Sequence, residues 1–556
     1  MKRLYSAIPV AIIFFLAIIL RFWQLGAVPV SPDWDEVSLG YNAYSILKTG
    51  RDEYGSFLPL SLRSYDDYKP PLYVYLTVPT VAVFGLSVFA VRLPSALFGV
   101  LAVLGTYFLV KELMKNGGQK TINNKHSGRL LFTAYCPLLS AAFLAISPWH
   151  IQFSRIAFEA NVGLTLNIWG VYFFLRGVYD RRGLAMGFVL FALALYAYHS
   201  ERIFVPILIV FLSIIYRKQL VTNKKSVAAA LVLGFIMLLP LVPVLLDKNT
   251  LMRLKGTSSF REQTQLLSVN IQKLEYDKTH NYVLGQLFDN RRIEYAKTVI
   301  RGYLIHFSPK WLFITGDHER HHAPGMGLLY IWELPFILIG IYQLLRVRKP
   351  TNLLFLGWLA IAPVAASPTT QLPHAIRTLV FLPSFQVFSA IGVLSVFEYI
   401  KNHRPMVKMP FMIALTAMII GMGMYYVHMY FVHMNAEYSQ YWQYGYKQAV
   451  EYAEAHADEY TKIVVSTDLE QPYMFFLFFS KYDPQKYLSQ GGTVSGRFDE
   501  KFNRFNKYEF RKIDWPNEKR DGSVLYIGTP KEIIHGTKLN IANLDGSPAI
   551  HITDRE

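Results

Sequence analysis

Apolar residues along this chain gather into blocks instead of recurring at the spacing of a half-buried helix. The blocks fall at about 5–25, 89–111, 131–147, 161–178, 184–198, 203–216, 226–245, 326–345, 351–366, 378–399 and 409–432. Most approach the ~20 residues that cross the hydrocarbon of a bilayer, so the pattern predicts a polytopic α-helical membrane protein with about eleven transmembrane helices. The shorter blocks need flanking residues or local thinning of the bilayer. The first block is long, ends at Arg21–Trp23 and has no small-residue cleavage site, which reads as a retained span and not a signal peptide. The apolar stretch 71–85 is treated differently. As a crossing it would place the basic loop 111–129 outside, so it is expected to be an interfacial or re-entrant helix on the outer side.

Polar residues between the blocks orient the chain. The basic loops are 1–3, 111–129, 176–182, 217–225, 346–349 and 401–408, and they contain few acids. Placing them all in the cytoplasm gives one consistent path through the plasma (inner) membrane. The net charge of +17 then reflects orientation and not a nucleic-acid partner. The composition agrees, with 52% hydrophobic and 17% charged residues. The single cysteine, Cys136, excludes an internal disulfide and is expected to be a buried packing residue. Two long outer loops result, 26–88 and 246–325, within a membrane domain of residues 1–432. Residues 433–556 are expected to form a small outer α/β domain, with KIVVSTD, YMFFLFFS and VLYIGTP as strand-like runs.

On this path the ionisable residues at the outer ends of spans collect on one face, and at membrane depth such groups default to functional candidates. Asp35 and Glu36 stand just beyond the first span. A carboxylate there can take a proton from an attacking hydroxyl. The plainer role is helix capping, for which Asp33 is better placed, leaving Asp35 and Glu36 on the first turn. Pro70 and Pro71 hold Lys69 in an extended conformation, so its ammonium could face a phosphate or simply snorkel. Arg155, Arg202 and Arg377 lie at the outer ends of three spans and suit a phosphate leaving group, or else lipid headgroups. Asp67, Glu159, His374 and His318 are the adjacent candidates for substrate contact. The run Asp317–His322 is too dense for a regular ligand set, so no metal ligands are assigned; a divalent metal or a substrate lid are both open readings.

These motifs resemble a known family. The acid pair after the first span, KPPL at 69–72, RLPSALFG at 92–99, SPWHIQFSRIAFEAN at 147–161, GDHERHHAPGMGLLYIWE at 316–333 and PHAIRTLVFLP at 373–383 are similar to type C membrane glycosyltransferases (GT-C). Within them the likeness is to the family 39-like group of protein O-mannosyltransferases and aminoarabinose transferases, of bacterial type, over roughly residues 1–400. The resemblance implies a GT-C fold and an enzyme, a hexosyl- or pentosyltransferase. It would move a sugar from a polyprenyl-phosphate donor to a lipid, glycan or protein acceptor on the outer face, by one inverting displacement. It implies Asp35 as base, with Lys69, Arg155 and Arg377 toward the donor phosphate. Tyr68 stands where an acidic or imidazole group could help bind a metal, so no cofactor is implied as required. A lipid-linked sugar transporter, a non-catalytic sensor and an oligosaccharyltransferase-like enzyme are the rival readings. The gathering of charge on one face argues against a transporter, whose site lies near the midplane.

Overall fold

A computed structural model describes residues 2–65, 67–117, 126–180, 183–247, 264–346, 350–494, 503–534 and 536–555. Asp66 and much of the basic loop 111–129 lie outside the described residues. The chain opens with α1 (Lys2–Phe22), α2 (Trp34–Thr49), β1 (Leu62–Ser64), β2 (Asp67–Lys69) and α3 (Leu72–Phe84). There follow α4 (Val88–Gly117), α5 (His126–Ile146), α6 (Pro148–Ser154), α7 (Glu159–Asp180), α8 (Leu184–Leu195) and α9 (Glu201–Ile215). Further apolar helices cover Lys224–Leu238, Glu333–Arg346, Pro350–Ile361, Ser384–His403 and Lys408–His428.

Among the described residues three helical runs are long and apolar enough to cross a membrane: Val88–Lys115, Leu379–His403 and Pro405–Trp442. A bent pair, α5 with α6, makes a fourth candidate, its halves meeting at 60°. Of the other expected spans, those at 5–25, 184–198 and 351–366 fall on shorter apolar helices, Ile8–Phe22, Leu184–Leu195 and Asn352–Ile361. α4 packs between α5 and α7, and α7 runs against α8. Small residues bring helices close, as membrane packing favours. A Cβ on Gly340 would lie 2.1 Å from the Phe388 carbonyl, and one on Gly392 would lie 2.0 Å from that of Phe336.

Two expectations change. The block 326–345 is not one helix, because Met326–Trp332 is irregular and helix begins at Glu333. In that stretch the Leu329 amide donates to the Leu312 carbonyl at 2.8 Å, and Leu328 offers its carbonyl to the Trp149 amide at 3.0 Å. Gly327 permits the contact, since a Cβ there would meet the Phe313 backbone at 2.4 Å. The run YMFFLFFS is the second: it forms a helix, Pro472–Phe479, with proline at its first position and residues 472–478 buried. Its continuous apolarity fits a fully buried helix as well as a buried strand.

The remaining terminal strands are β3 (Lys462–Val465), β4 (Arg504–Phe505), β5 (Tyr508–Phe510), β6 (Val524–Gly528), β7 (Leu539–Ala542) and β8 (Pro548–Thr553). They form one mixed sheet in the order β4-β5-β3-β6-β8-β7, with β3 parallel to both neighbours. Helix 472–479 lies between this sheet and α2, so the sheet shares one apolar core with the helical part. At Gly40 of α2 the packing is so close that a Cβ would meet Val91 at 2.6 Å and Phe478 at 2.7 Å.

Candidate functional site

The site starts from a helix cap. Asp33 Oδ1 accepts the Glu36 amide at 2.9 Å, and Glu36 Oε2 accepts the Asp33 amide at 3.3 Å, a capping box. Asp35 and Glu36 therefore share the first turn of α2, as expected, but their side chains diverge.

Glu36 is fully buried. Its carboxylate takes Arg92 Nε and Nη2, each at 2.9 Å, and the Ala157 amide at 2.9 Å. Arg92 also donates to the carbonyls of Leu25, Pro29 and Ser31 at 3.2, 2.8 and 2.9 Å, which fastens the chain leading into α2. Both oxygens of Glu36, a catalytic candidate in the sequence, are engaged in a bidentate buried pair, which gives it a structural partner in Arg92. Arg92 was within reach as a charge inside an apolar block, but its partner was not.

Asp35 faces the other way and forms an ion pair with Lys69. The Asp35 side chain remains 34% exposed, whereas that of Lys69 is 5% exposed. Lys69 arrives on the short hairpin β1–β2, in register Leu62 to Lys69 and Ser64 to Asp67, just ahead of the two prolines. Burial disfavours its charge, but the carboxylates of Asp35, Glu159 and Asp67 outweigh burial and hold its pKa above the ordinary lysine value. The structure thus gathers Asp35, Lys69, Asp67 and Glu159. Behind them, His199 Nε2 meets the Tyr68 carbonyl at 2.9 Å and Arg202 Nη1 meets His199 Nδ1 at 3.3 Å, so Arg202 braces the hairpin strand.

Arg155 lies elsewhere. It is fully buried and donates to the carbonyls of Leu20, Gln24 and Val28 at 3.1, 3.3 and 3.1 Å, beneath the rings of Tyr430 and Phe431. Its expected phosphate role is corrected: the guanidinium ties the end of α1 to the chain that follows. Arg377 is half-buried and holds Thr369 Oγ1 at 2.7 Å and the Thr370 carbonyl at 2.6 Å.

The run 317–322 makes a second cluster, and His374 from the next outer turn completes it. Asp317 Oδ2 accepts His321 Nδ1 at 2.6 Å and the Ala375 amide at 2.8 Å. One ligand atom each from Asp317, His321 and His374 lies within 4.8 Å of the others, a set that suits a divalent cation. His374 Nδ1 is buried without a hydrogen-bond partner, which fits a metal-ligand atom. Burial opposes ionisation of Asp317, but the hydrogen bonds from His321 and Ala375 hold its carboxyl below the usual carboxylate range. Burial also pushes the pKa of His321 down, against the opposing pull of Asp317, and that of His374 well down, which favours the neutral imidazole that a metal ligand presents. The ring of His318 abuts those of His321 and His374. The dense spacing that argued against ligands is resolved by using only Asp317 and His321 from the run.

Arg320 connects the two clusters. Its guanidinium donates to Asp33 at 3.2 Å and covers the Trp34 ring at 4.2 Å, while its carbonyl accepts Gln152 Nε2 at 2.7 Å. On the other side, the His321 ring packs on Phe153 and Phe158, next to Glu159.

This architecture is the GT-C fold that the motifs resembled, the fold of membrane glycosyltransferases. Over 98% of this chain and 97% of the other, it is similar to ArnT from Cupriavidus metallidurans in the apo state, with a TM-score of 0.53 and 13% identity. The same protein bound to undecaprenyl phosphate gives a TM-score of 0.53 and 12% identity. The archaeal oligosaccharyltransferase AglB from Archaeoglobus fulgidus is more distant: TM-score 0.47, 13% identity, 86% of this chain and 64% of the longer one. No family model matches the chain, and no curated protein matches it in sequence.

Proposed function

We propose that this protein transfers a sugar from a polyprenyl-phosphate donor to an acceptor hydroxyl on the non-cytoplasmic side of the membrane, by one inverting displacement. The observation that carries the reading is the Asp35–Lys69 pair, a part-exposed carboxylate held against a buried ammonium at a rigid hairpin. ArnT bound to undecaprenyl phosphate has the same fold and supports a donor of that class. At rest the two groups neutralise each other. A donor phosphate arriving at Lys69 becomes its counter-ion and releases Asp35. The acceptor oxygen then attacks the anomeric carbon as its proton passes to Asp35, and the sugar–phosphate bond breaks. The charge developing on the departing phosphate is met by the buried ammonium of Lys69.

Asp317, His321 and His374 are the residues that would hold a divalent cation, which when bound would act as a Lewis acid toward an oxygen ligand. Arg320 keeps that loop against the start of α2.

The test is transfer in reconstituted membranes with a polyprenyl-phosphate sugar. Asp35→Asn is expected to abolish turnover, by at least about 10²-fold, while donor binding persists. Lys69→Met is expected to weaken donor binding itself. Retained turnover in Asp35→Asn overturns the base assignment, and donor translocation without release of polyprenyl phosphate favours a transporter.

A further inference from the structure

A chain of buried hydrogen bonds runs from the terminal sheet unit to the helix that carries Asp35 and the hairpin that carries Lys69. It begins at Thr493 and Tyr473, whose hydroxyls donate to Glu53 Oε2 at 2.7 and 3.2 Å. Glu53, in the first outer loop, accepts Asn42 Nδ2 on Oε1 at 3.1 Å, and its own amide donates to Asn42 Oδ1 at 3.0 Å. Its carbonyl accepts the Thr493 amide at 3.1 Å, so main chain and side chain both cross the junction. From Asn42 the chain continues to the Ser38 carbonyl at 3.0 Å, and Ser38 Oγ meets Ser64 Oγ at 2.7 Å. Asn42 and Ser38 belong to α2, which carries Asp35. Ser64 is opposite Asp67 on the hairpin that carries Lys69. Each link in the relay is buried.

We infer that Glu53 is a positioning residue, a clasp through which the terminal unit holds the helix of Asp35 and the hairpin of Lys69 in register, and that its protonation sets how firmly they are held. The inference rests on the transfer reading for its functional meaning, and on the relay for its geometry.

The chemistry of the clasp favours the neutral acid. The titratable groups around Glu53 are Asp52 and Tyr54 of its own loop, Tyr41 of α2 and Tyr473 of the terminal helix; Tyr487 reaches it through Thr493. The nearest cation is Arg63 of the hairpin, whose guanidinium lies over the Tyr54 ring at 4.5 Å. Burial, reinforced by Asp52, raises the Glu53 carboxyl to about 7 despite the hydrogen bonds from Thr493, Asn42 and Tyr473. Protonated, Glu53 can donate to Thr493 Oγ1, which can turn its own proton to the Tyr487 hydroxyl 2.8 Å away. The sign follows. A carboxyl raised in the folded state stabilises the closed junction below the unfolded pKa, and that stabilisation is lost as pH rises through about 7. The clasp is firmest in acidic surroundings, loosens as pH rises toward about 7 and changes no further above it.

Hydrogen exchange in the full-length protein in lipid nanodiscs tests this between pH 6 and 8. After correction for intrinsic exchange chemistry, opening of segments 34–49 and 62–69 is expected to rise by up to about tenfold per pH unit as pH approaches about 7, and to level off above it. Glu53→Gln, which mimics the neutral acid, is expected to remove that rise. Thr493→Val is expected to open the same segments at every pH. In the transfer assay, the wild-type kcat is expected to lose ground relative to Glu53→Gln as pH rises to about 7 and to hold a constant ratio above it, with an unchanged donor KM. Superimposable exchange profiles for wild type and Glu53→Gln overturn the inference. Exchange behaving as expected with no transfer in any variant leaves the clasp standing and sinks only the reaction reading.

Discussion

Asp35 and Glu36 are the same kind of group one residue apart, and a helix's first turn sends them about 100° apart around its axis. That rotation separates a part-exposed acid paired with Lys69 from a fully buried acid paired with Arg92. Breaking a buried ion pair from one side leaves an uncompensated charge, which costs about 3–5 kcal/mol. Glu36→Gln is therefore expected to lower folding stability by that order, read as a shift of the denaturant midpoint in detergent. Arg92→Leu should leave Glu36 in a comparable position. If Glu36→Gln instead keeps native stability and loses only turnover, the structural assignment of Glu36 is wrong and the acid belongs to the chemistry.

At the scale of elements, the loop 316–333 reaches the site through contacts at both of its functional groups. Arg320 fixes it to Asp33 and Trp34, and Asp317 with His321 meets His374 across a sequence gap. Calorimetric titration of the purified, chelator-treated protein with Zn²⁺ is expected to show one site that His321→Ala and His374→Ala each remove. Arg320→Ala, which touches no ligand, is expected to weaken binding by about 10–100-fold through lost orientation of the loop. Equal binding in all four proteins would dismiss the triad as a metal site. Much of this arrangement was legible from local rules. The cap at Asp33 and the extended conformation of Lys69 ahead of its two prolines each follow from a few adjacent residues. What was not legible depends on distant partners: the meeting of Asp317 with His374, and the neutralisation of Glu36 by Arg92. Periodicity also fails where every position is apolar, which is why Pro472–Phe479 read as a strand and 326–332 as part of a span.

For the whole molecule, the consequential junction is where helix 472–479 lies between the terminal sheet and α2. Gly40 lets the two approach: an added Cβ would meet Phe478 at 2.7 Å and Val91 at 2.6 Å, inside the separation any real Cβ keeps. One neighbour belongs to the terminal unit and the other to α4, so α2 cannot relieve the clash by moving toward either. Overpacking of this kind costs about 1–3 kcal/mol. Gly40→Ala is expected to lower the thermal midpoint and speed proteolysis of residues 446–555, while donor transfer falls because the helix of Asp35 shifts with its packing. Gly423→Ala is the control: it sits on the last long helix with nothing within 4 Å of the added carbon, and should change neither property. Were Gly40→Ala to release the terminal unit to protease while transfer stayed at the wild-type rate, that unit would be an appendage. Loss of both together would make it part of the transferase, acting on the site through the packing of a single helix.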